Sequence, residues 1–180
     1  MRETLKEYGK YIIGVALIVY FTISLIFKEN NFWDNLDLTI TITLVISVLY
    51  SQILWKYNPL EKTPKIYGEY EAKFISTYDK SIRKMNIEIK QDLLSTRIYM
   101  TTKESQSESI SSSLKKKQDS WQLIYSYENV PNSIEREHSE IHFGTCMLNI
   151  INNKIKCGTY YTDRKTTGDI NEITKLNKGE

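Results

Sequence analysis

The chain has 180 residues and a net charge of +2, from 24 lysines and arginines against 22 acidic residues. This near balance gives no indication that a DNA or RNA polymer binds through bulk charge. Two cysteines, Cys146 and Cys157, are too few for the disulfide framework of a secreted domain. The mean hydropathy of −0.41 conceals a division, because residues before about Tyr57 are mostly apolar and later residues are mostly polar.

Two segments near the N-terminus carry no charged residue, over residues 11–27 and 38–55. At 1.5 Å per residue each would form about 26 Å of helix, close to a hydrocarbon core of about 30 Å. A signal peptide explains the first segment less well, because no small-residue cleavage site follows it and a second apolar segment comes at once. We therefore expect a transmembrane helical hairpin over residues 1–58.

Basic residues at the outer flanks of the hairpin predict its orientation. They precede the first segment and follow the second, at Arg2, Lys6, Lys10, Lys56, Lys62 and Lys65. The connection between the segments is mainly acidic, with Glu29, Asp34 and Asp37 against Lys28. Because cytoplasmic flanks are enriched in basic residues, we expect both termini on the cytoplasmic side.

The second apolar segment carries a hydroxyl residue at every fourth position, namely Thr39, Thr43, Ser47 and Ser51. This spacing places all four on one helix face. Each hydroxyl can simply bond back to its own helix. Alternatively, small polar residues let helices approach closely in lipid, so the stripe is a candidate face for packing or for assembly in the membrane.

After Asn58-Pro59 the helical pattern ends, and we expect a linker over residues 59–65 and a strand-rich domain over 66–178. Eight short segments have the composition of strands, and most alternate apolar and polar residues, within 66–76, 83–91, 96–100, 105–114, 121–127, 142–150, 155–164 and 168–176. Antiparallel strands with no helix between them favour a closed barrel or a sandwich. We expect a small antiparallel β-barrel of about eight strands, whose interior holds side chains or one small ligand. The predicted class is thus a membrane-anchored all-β protein.

The pair Asn152-Asn153 predicts a two-residue hairpin turn between the sixth and seventh strands. The resulting register places Gly144 opposite Tyr161, with both facing inward and Arg164 facing outward. A bulge in either strand would reverse the outer part of this assignment.

The residues do not indicate an enzyme or a metal site. The two histidines, His138 and His142, would lie about 13 Å apart on a strand, too far to share one metal. The sequence contains no glycine-rich phosphate loop, HExxH or CxxC motif. We therefore expect a protein with no catalytic residue, no metal and no cofactor.

Ligand-binding candidates come from three groups of polar and aromatic residues. Serines at 105, 107, 109, 111 and 113 would share one strand face, either as a solvated edge or as a hydroxyl-lined wall for a polar ligand. Tyrosines 125, 127, 160 and 161 are either core residues or platforms for a stacked nucleobase. Arg164 beside neighbouring threonines is either a surface arginine or a bidentate partner for phosphate. The selected ligand-binding candidates are Tyr125, Tyr127, Tyr161, Thr162, Arg164, Thr166, Ser109 and Ser111.

The order of these motifs resembles a known family. Two apolar spans are followed by Gly68-x-Tyr70, the serine-rich strand, LIYSYENVP at 123–131, HFGTCMLNI at 142–150 and CGTYYTDRKTTGDI at 157–170. This pattern resembles the CD-NTase-associated membrane effectors of bacterial CBASS antiphage defence that carry two transmembrane segments and a minimal β-barrel. The segment 158–164, followed by Gly168, is its most specific part.

The resemblance implies a function that composition and spacing do not give. In that family the barrel is a receptor for a cyclic oligonucleotide made by a partner CD-NTase, and we expect a cyclic dinucleotide as the activating ligand. Binding would drive homo-oligomer assembly in the bacterial cell inner membrane, disruption of the lipid bilayer and death of the infected cell, which is abortive infection.

Two other functions remain open from the residues alone. One is a membrane-tethered, lipocalin-like barrel that binds a lipid or an apolar metabolite. The other is a membrane scaffold whose barrel docks another protein. The serines and threonines of the predicted wall favour a polar ligand.

Overall fold

The computed structural model describes residues 2–176, and side chains from Lys6 onward. Two helices precede eight strands: α1 Arg2–Ile26, α2 Phe32–Gln52, β1 Gly68–Ser76, β2 Ile82–Gln91, β3 Thr96–Thr101, β4 Ser105–Lys116, β5 Trp121–Pro131, β6 His142–Ile151, β7 Lys154–Thr162 and β8 Thr167–Lys175. Short 3-10 helices cover Leu54–Lys56 and Glu135–Glu137. Met1 and the Arg2 side chain, which belong to the predicted hairpin, and residues 177 and 178 of the predicted barrel lie outside the described residues.

The chain divides into two compact units. One comprises Met1–Thr63 with Asp92–Leu94, and the other comprises Pro64–Gln91 with Ser95–Glu180. The predicted linker, residues 59–65, includes the boundary between Thr63 and Pro64. The domain limits assigned from the sequence stay predictions.

The helical hairpin has two helices that are long and apolar enough to cross a membrane, over Lys6–Ile26 and Phe32–Gln52. α2 begins at a polar cap, because the Asn31 side chain accepts a hydrogen bond from the Asp34 amide at 3.0 Å. The helices contact each other through stacked Tyr8 and Tyr50 rings, whose centroids are 6.1 Å apart. Asn35 Nδ2 also donates to Ser24 Oγ at 3.3 Å.

The predicted hydroxyl stripe lies partly inside this hairpin. Thr39 and Thr43 are buried, on the α2 face where Asn35 contacts α1. Thr39 Oγ1 donates back to the Asn35 carbonyl at 2.7 Å, and Ser51 Oγ donates to the Val48 carbonyl at 3.0 Å. In the single chain Thr39 and Thr43 therefore pack between the two helices, whereas Ser47 and Ser51 are only partly buried. Its role in assembly stays a prediction.

The strands form a closed antiparallel barrel in which each strand pairs with its neighbours in the chain and β8 pairs with β1. This confirms the predicted order of a two-helix hairpin followed by an antiparallel barrel of eight strands. The half of the barrel next to the start of β1 is filled by apolar side chains, including Ile89, Ile98, Leu123, Leu148 and Ile155. Full burial of each such side chain stabilises the fold by about 1.5–3 kcal/mol. Only the opposite half of the barrel, next to the end of β1, therefore has room for a cavity.

The predicted hairpin turn forms, but the register beyond it differs from the expected one. Asn152 and Asn153 both adopt positive φ, 50° and 59°, as a tight two-residue turn requires. A bulge next to Asn149 then shifts the pairing by one residue, so Gly144 lies opposite Thr162. The expected pairing of Gly144 with Tyr161 is wrong, and Thr162 rather than Tyr161 faces inward.

A second bulge divides the serine-rich strand. The β4–β5 register shifts between Ser109 and Ser111, so the predicted single face of five serines is wrong. Ser105, Ser107 and Ser109 are partly buried, whereas Ser111 and Ser113 are exposed. Two hydroxyls replace ladder bonds to β3: Ser109 Oγ accepts from the Ile98 amide at 2.9 Å, and Ser112 Oγ donates to the Thr96 carbonyl.

Candidate ligand-binding site

A cavity of about 470 Å³ opens at the barrel end away from the apolar core. It is bounded by the ends of β1, β3, β5 and β7, the starts of β2, β4, β6 and β8, and the connections between them. This volume lies within the range of about 300–1,000 Å³ that is typical of small-molecule sites. The apolar filling of the other half gives the cavity a floor.

The floor consists of tyrosines that lie over glycines. Tyr127 pairs with Gly144 across β5 and β6, and Tyr160 pairs with Gly168 across β7 and β8. A Cβ atom on Gly144 would lie 2.5 Å from Tyr127 Oη, and one on Gly168 would lie 2.5 Å from Tyr160 Cε1. Because glycine has no side chain, Gly144 and Gly168 each leave the space that a tyrosine ring occupies.

The floor carries no charge at neutral pH. Burial raises the pKa of Tyr127 and of Tyr160 above the usual value for tyrosine. Burial also raises the pKa of the Cys146 thiol, which lines the cavity, to about 12. These groups remain protonated, so the tyrosines can donate hydrogen bonds and the thiol is a poor nucleophile.

The two arginines that line the cavity, Arg83 and Arg164, differ in whether nearby carboxylates neutralise their charge. Arg83 pairs with Asp79 at 2.5 Å and lies 3.7 Å from the Glu104 carboxylate. Hydrogen bonds from the Ser81 amide and hydroxyl, together with the Arg83 charge, hold the pKa of Asp79 below its usual value. The charge of Arg83 is therefore largely neutralised by two carboxylates.

Arg164 lies in the β7–β8 turn, and its guanidinium forms hydrogen bonds only to uncharged groups among the described residues. The turn is closed by the Thr162 amide donating to the Thr166 carbonyl at 2.9 Å, while the two threonine hydroxyls lie 2.6 Å apart. The guanidinium donates to Ser139 Oγ at 3.1 Å and to the Glu140 carbonyl. Among residues 6–176 it forms no ion pair, so its charge is available to an anionic ligand.

The structure brings together half of the predicted ligand-binding residues. Tyr127, Thr162, Arg164 and Thr166 line the cavity. The remaining four lie elsewhere. Tyr125 is buried below the floor, where its hydroxyl lies 3.0 Å from Met100 Sδ, and Tyr161 is half exposed on the outer face. Ser109 accepts a hydrogen bond from β3, and Ser111 is exposed. A ligand-binding role for these eight residues stays a proposal.

Several lining residues were absent from the eight selected candidates, although Ser107 and Tyr160 belong to the serine and tyrosine groups considered in the sequence. The absent residues include Phe74, Arg83, Ser107, Asn129, His142 and Tyr160. Asn129 could have been found, because it follows Tyr127 by two positions on the same strand and so shares its inward face. Tyr160 was not selected because the predicted register lacked the bulge between β6 and β7, which turns Tyr160 rather than Tyr161 toward the cavity.

The two histidines also lie at the cavity rather than along one strand. His138 follows the short 3-10 helix in the β5–β6 connection, and His142 begins β6. The strand spacing assumed for the pair is therefore wrong. Within the described residues no group of three or more His, Cys, Asp or Glu side chains is placed to hold a metal.

Comparison with known proteins identifies the family. Residues 61–174 match the family described as Cap15, cyclic dinucleotide receptor domain. The CD-NTase-associated protein 15 of Staphylococcus schleiferi is 30% identical over 168 residues, which cover 88% of this chain and 91% of that protein. The family match covers nearly the whole barrel, and the match to the Staphylococcus schleiferi protein also includes residues outside the barrel. The chain therefore belongs to the Cap15 family of CD-NTase-associated CBASS effectors, as its motifs suggested.

Proposed function

We propose that this protein is a membrane-anchored receptor that binds a cyclic dinucleotide in the barrel-end cavity, assembles in the bacterial inner membrane and disrupts it. Death of the infected cell would then end phage replication. The observation that carries the proposal is the cavity itself, which combines cations, hydroxyls and aromatic rings within a domain of the Cap15 cyclic dinucleotide receptor family. The protein would act by binding and assembly rather than by catalysis.

The ligand's phosphates have suitable partners on the cavity wall. Arg164 offers a guanidinium with no paired carboxylate, beside the hydroxyls of Thr162 and Thr166. Guanidinium groups bind phosphate through two parallel hydrogen bonds, which fix both position and orientation. Arg83, on another wall, would serve a second phosphate only by exchanging its contacts with Asp79 and Glu104. We therefore assign the principal phosphate contact to Arg164.

The ligand's bases have aromatic partners. Phe74 and Tyr160 meet edge to face with centroids 6.2 Å apart, and Tyr127 lies on the same floor. Stacking of a base on an aromatic ring contributes about 1–3 kcal/mol. Tyr78, which is 84% exposed, stands at the opening where a base could cover it.

A lipid or apolar metabolite suits this cavity less well. An apolar ligand would remove water from Arg164, His138 and His142 without replacing their hydrogen bonds. Burying unpaired polar and charged groups in this way is costly. The apolar half of the barrel is already filled by side chains, so it offers such a ligand no alternative space.

Membrane insertion is supported by apolar side chains on the outer surface of both helices. The most exposed of these include Ile13, Ile18, Phe21, Leu25, Leu44 and Val45. Apolar surface of this extent is unfavourable in water and favourable in lipid. We propose that the helices span the inner membrane, with both termini in the cytoplasm.

The stripe at Thr39, Thr43, Ser47 and Ser51 is the proposed assembly face. Thr43 Oγ1 and Asn35 Oδ1 are buried without a hydrogen-bond partner in the described part of the chain. Polar groups left unpaired in lipid favour a state in which another copy supplies partners. Since Thr39 and Thr43 are buried within the hairpin, assembly through this face requires α1 to move away.

Thermal unfolding of the full chain in detergent tests the proposed ligand class. A panel of cyclic dinucleotides should include one that raises the melting temperature progressively with concentration, because binding stabilises by RT ln(1 + [L]/Kd). Arg164→Ala should remove this shift without unfolding the protein. If no panel member gives a shift and a lipid does, the cyclic dinucleotide proposal is wrong. Ligand-dependent dye release from liposomes tests membrane disruption separately.

A further inference from the structure

Resting on the proposed function, we infer that Asn129 determines which nucleobase the cavity accepts. Its amide nitrogen donates to an acceptor atom on the edge of the bound base, and Ser107 is the positioning residue that fixes the amide. The inference concerns base identity, whereas Arg164 recognises the phosphate that all cyclic dinucleotides share.

Asn129 is a buried polar residue with an unused donor. It is only 8% exposed, lines the cavity and lies two positions beyond Tyr127 on β5. Ser107 Oγ donates to Asn129 Oδ1 at 2.7 Å, which fixes the orientation of the amide. Nδ2 meets no acceptor among residues 6–176 and is not enclosed, so its two hydrogens are available to a cavity ligand. A bound ligand excludes water from Nδ2, and a donor that then finds no acceptor is costly, so a ligand that supplies an acceptor is favoured over one that does not.

The neighbours of Asn129 make a base edge a better partner than a phosphate. Ser107, Asn129 and His142 lie opposite one another on adjacent strands and all line the cavity. His142 Nδ1 lies 3.2 Å from the Glu140 carbonyl, which can only accept, so Nδ1 carries the hydrogen. In the neutral ring Nε2 is then an acceptor.

This row therefore presents a fixed donor beside a ring nitrogen that accepts when His142 is neutral. Base edges carry donors and acceptors in patterns that differ between bases, whereas a phosphate carries acceptors only. A site built to hydrogen-bond one pattern strongly rejects an analogue that lacks it, because the buried protein groups are then left unpaired. Asn129 is thus placed to discriminate among ligands that Arg164 would bind alike.

The test measures affinities of the full chain in detergent for cyclic di-AMP, cyclic di-GMP, cyclic AMP–GMP and cyclic di-UMP. We expect Asn129→Ala to weaken the best-binding member by roughly tenfold and the weakest much less, so that the ratio of their affinities contracts. Ser107→Ala, which frees the amide, should contract the ratio less. Arg164→Ala should weaken all members by a similar factor and preserve the ratio.

Asn149→Ala is the matched control, because Asn149 lies on the outer face of β6 and bonds to Gln122 and Cys157. It should leave every affinity unchanged. If the wild type binds the panel but Asn129→Ala preserves the ratio, the inference is overturned and the proposed function stands. If no member binds the wild type, the proposed function and the inference both fail. If Asn129→Ala melts far below the wild type, its affinities are not informative and Ser107→Ala is used instead. An unchanged ratio of affinities in Ser107→Ala then overturns the inference.

Discussion

Gly144 shows how a single residue shapes the cavity floor. Because a Cβ atom there would lie 2.5 Å from Tyr127 Oη, Gly144→Ala forces the ring to move. Overpacking of this kind costs about 1–3 kcal/mol. We expect a lower melting temperature and weaker binding of a cyclic dinucleotide, both measured on the full chain.

Gly14→Ala is the control for that substitution, since no heavy atom of another part of the chain lies within 4 Å of a Cβ atom at that helical position. Alanine favours a helix over glycine by up to about 1 kcal/mol, so stability should be kept or raised. Equal destabilisation by the two variants would contradict the proposed fit of Tyr127 over Gly144.

The buried tyrosines and Cys146 also predict how stability depends on pH. Burial raises the pKa of Tyr70 and of Cys146 to about 12, and raises that of Tyr127 as well. Above pH 9–10 the unfolded chain loses these protons while the folded barrel keeps them. The unfolded state then binds fewer protons, so the free energy of unfolding falls as pH rises.

We therefore expect a melting temperature that is nearly constant from pH 7 to about 8.5 and decreases above about pH 9. Tyr127→Phe removes one of the titrating groups and should make this decrease shallower. A profile that is flat to pH 11, or one that rises, would show that the tyrosines and thiol ionise equally well in the folded barrel.

At the scale of whole elements, strand number and order were predictable, but the side that each residue faces was not. Alternation of apolar and polar residues identified most of the eight strands, because a half-buried strand imposes a period of two, whereas the fourth was placed in the serine-rich stretch without that signal. The bulges beside Ser109 and Asn149 each insert one residue and reverse the alternation beyond it. Neither bulge has a glycine or proline at that point, so the sequence carried no signal for it. Tyr161 and Ser111 were therefore expected on the wrong face.

The α2 stripe gives a prediction at the same scale. Thr43→Leu combined with Ser47→Leu should abolish ligand-induced oligomers, measured by cross-linking in liposomes, and the accompanying dye release. The physical reason is that leucine removes the hydroxyl of Thr43, which is buried without a partner, and prevents close helix approach. Ligand binding by the barrel should be retained.

Thr41→Leu is the matched control on the same helix. Thr41 is exposed, and its hydroxyl already donates to the Asp37 carbonyl at 3.0 Å. It should assemble and release dye like the wild type. If the double variant also behaves like the wild type, the stripe serves only packing within the hairpin and the assembly face lies elsewhere.

At the scale of the whole molecule, the division of the barrel interior could not be deduced from the sequence. Apolar residues such as Ile89 and Leu148 identified a core, but whether that core filled the barrel depended on the registers of all eight strands. Arg164, Thr162 and Thr166 were predicted together because they are close in sequence. Arg83, Ser107 and Asn129 come from separate strands, so only the closed barrel brings them together.

The pairing of β1 with β8 has a consequence for the synthesis of this protein. Every other pair of neighbouring strands can form as soon as both have left the ribosome, whereas closure awaits the last strand, Thr167–Lys175. A nascent chain that stops before this point has an open sheet with two unpaired edges. Gly168 and Ile170, which complete the wall around Tyr160 and the cavity, belong to the same last strand. A prematurely terminated copy would therefore retain both apolar helices but lack part of the cavity wall, so it should not bind the ligand that the full chain binds.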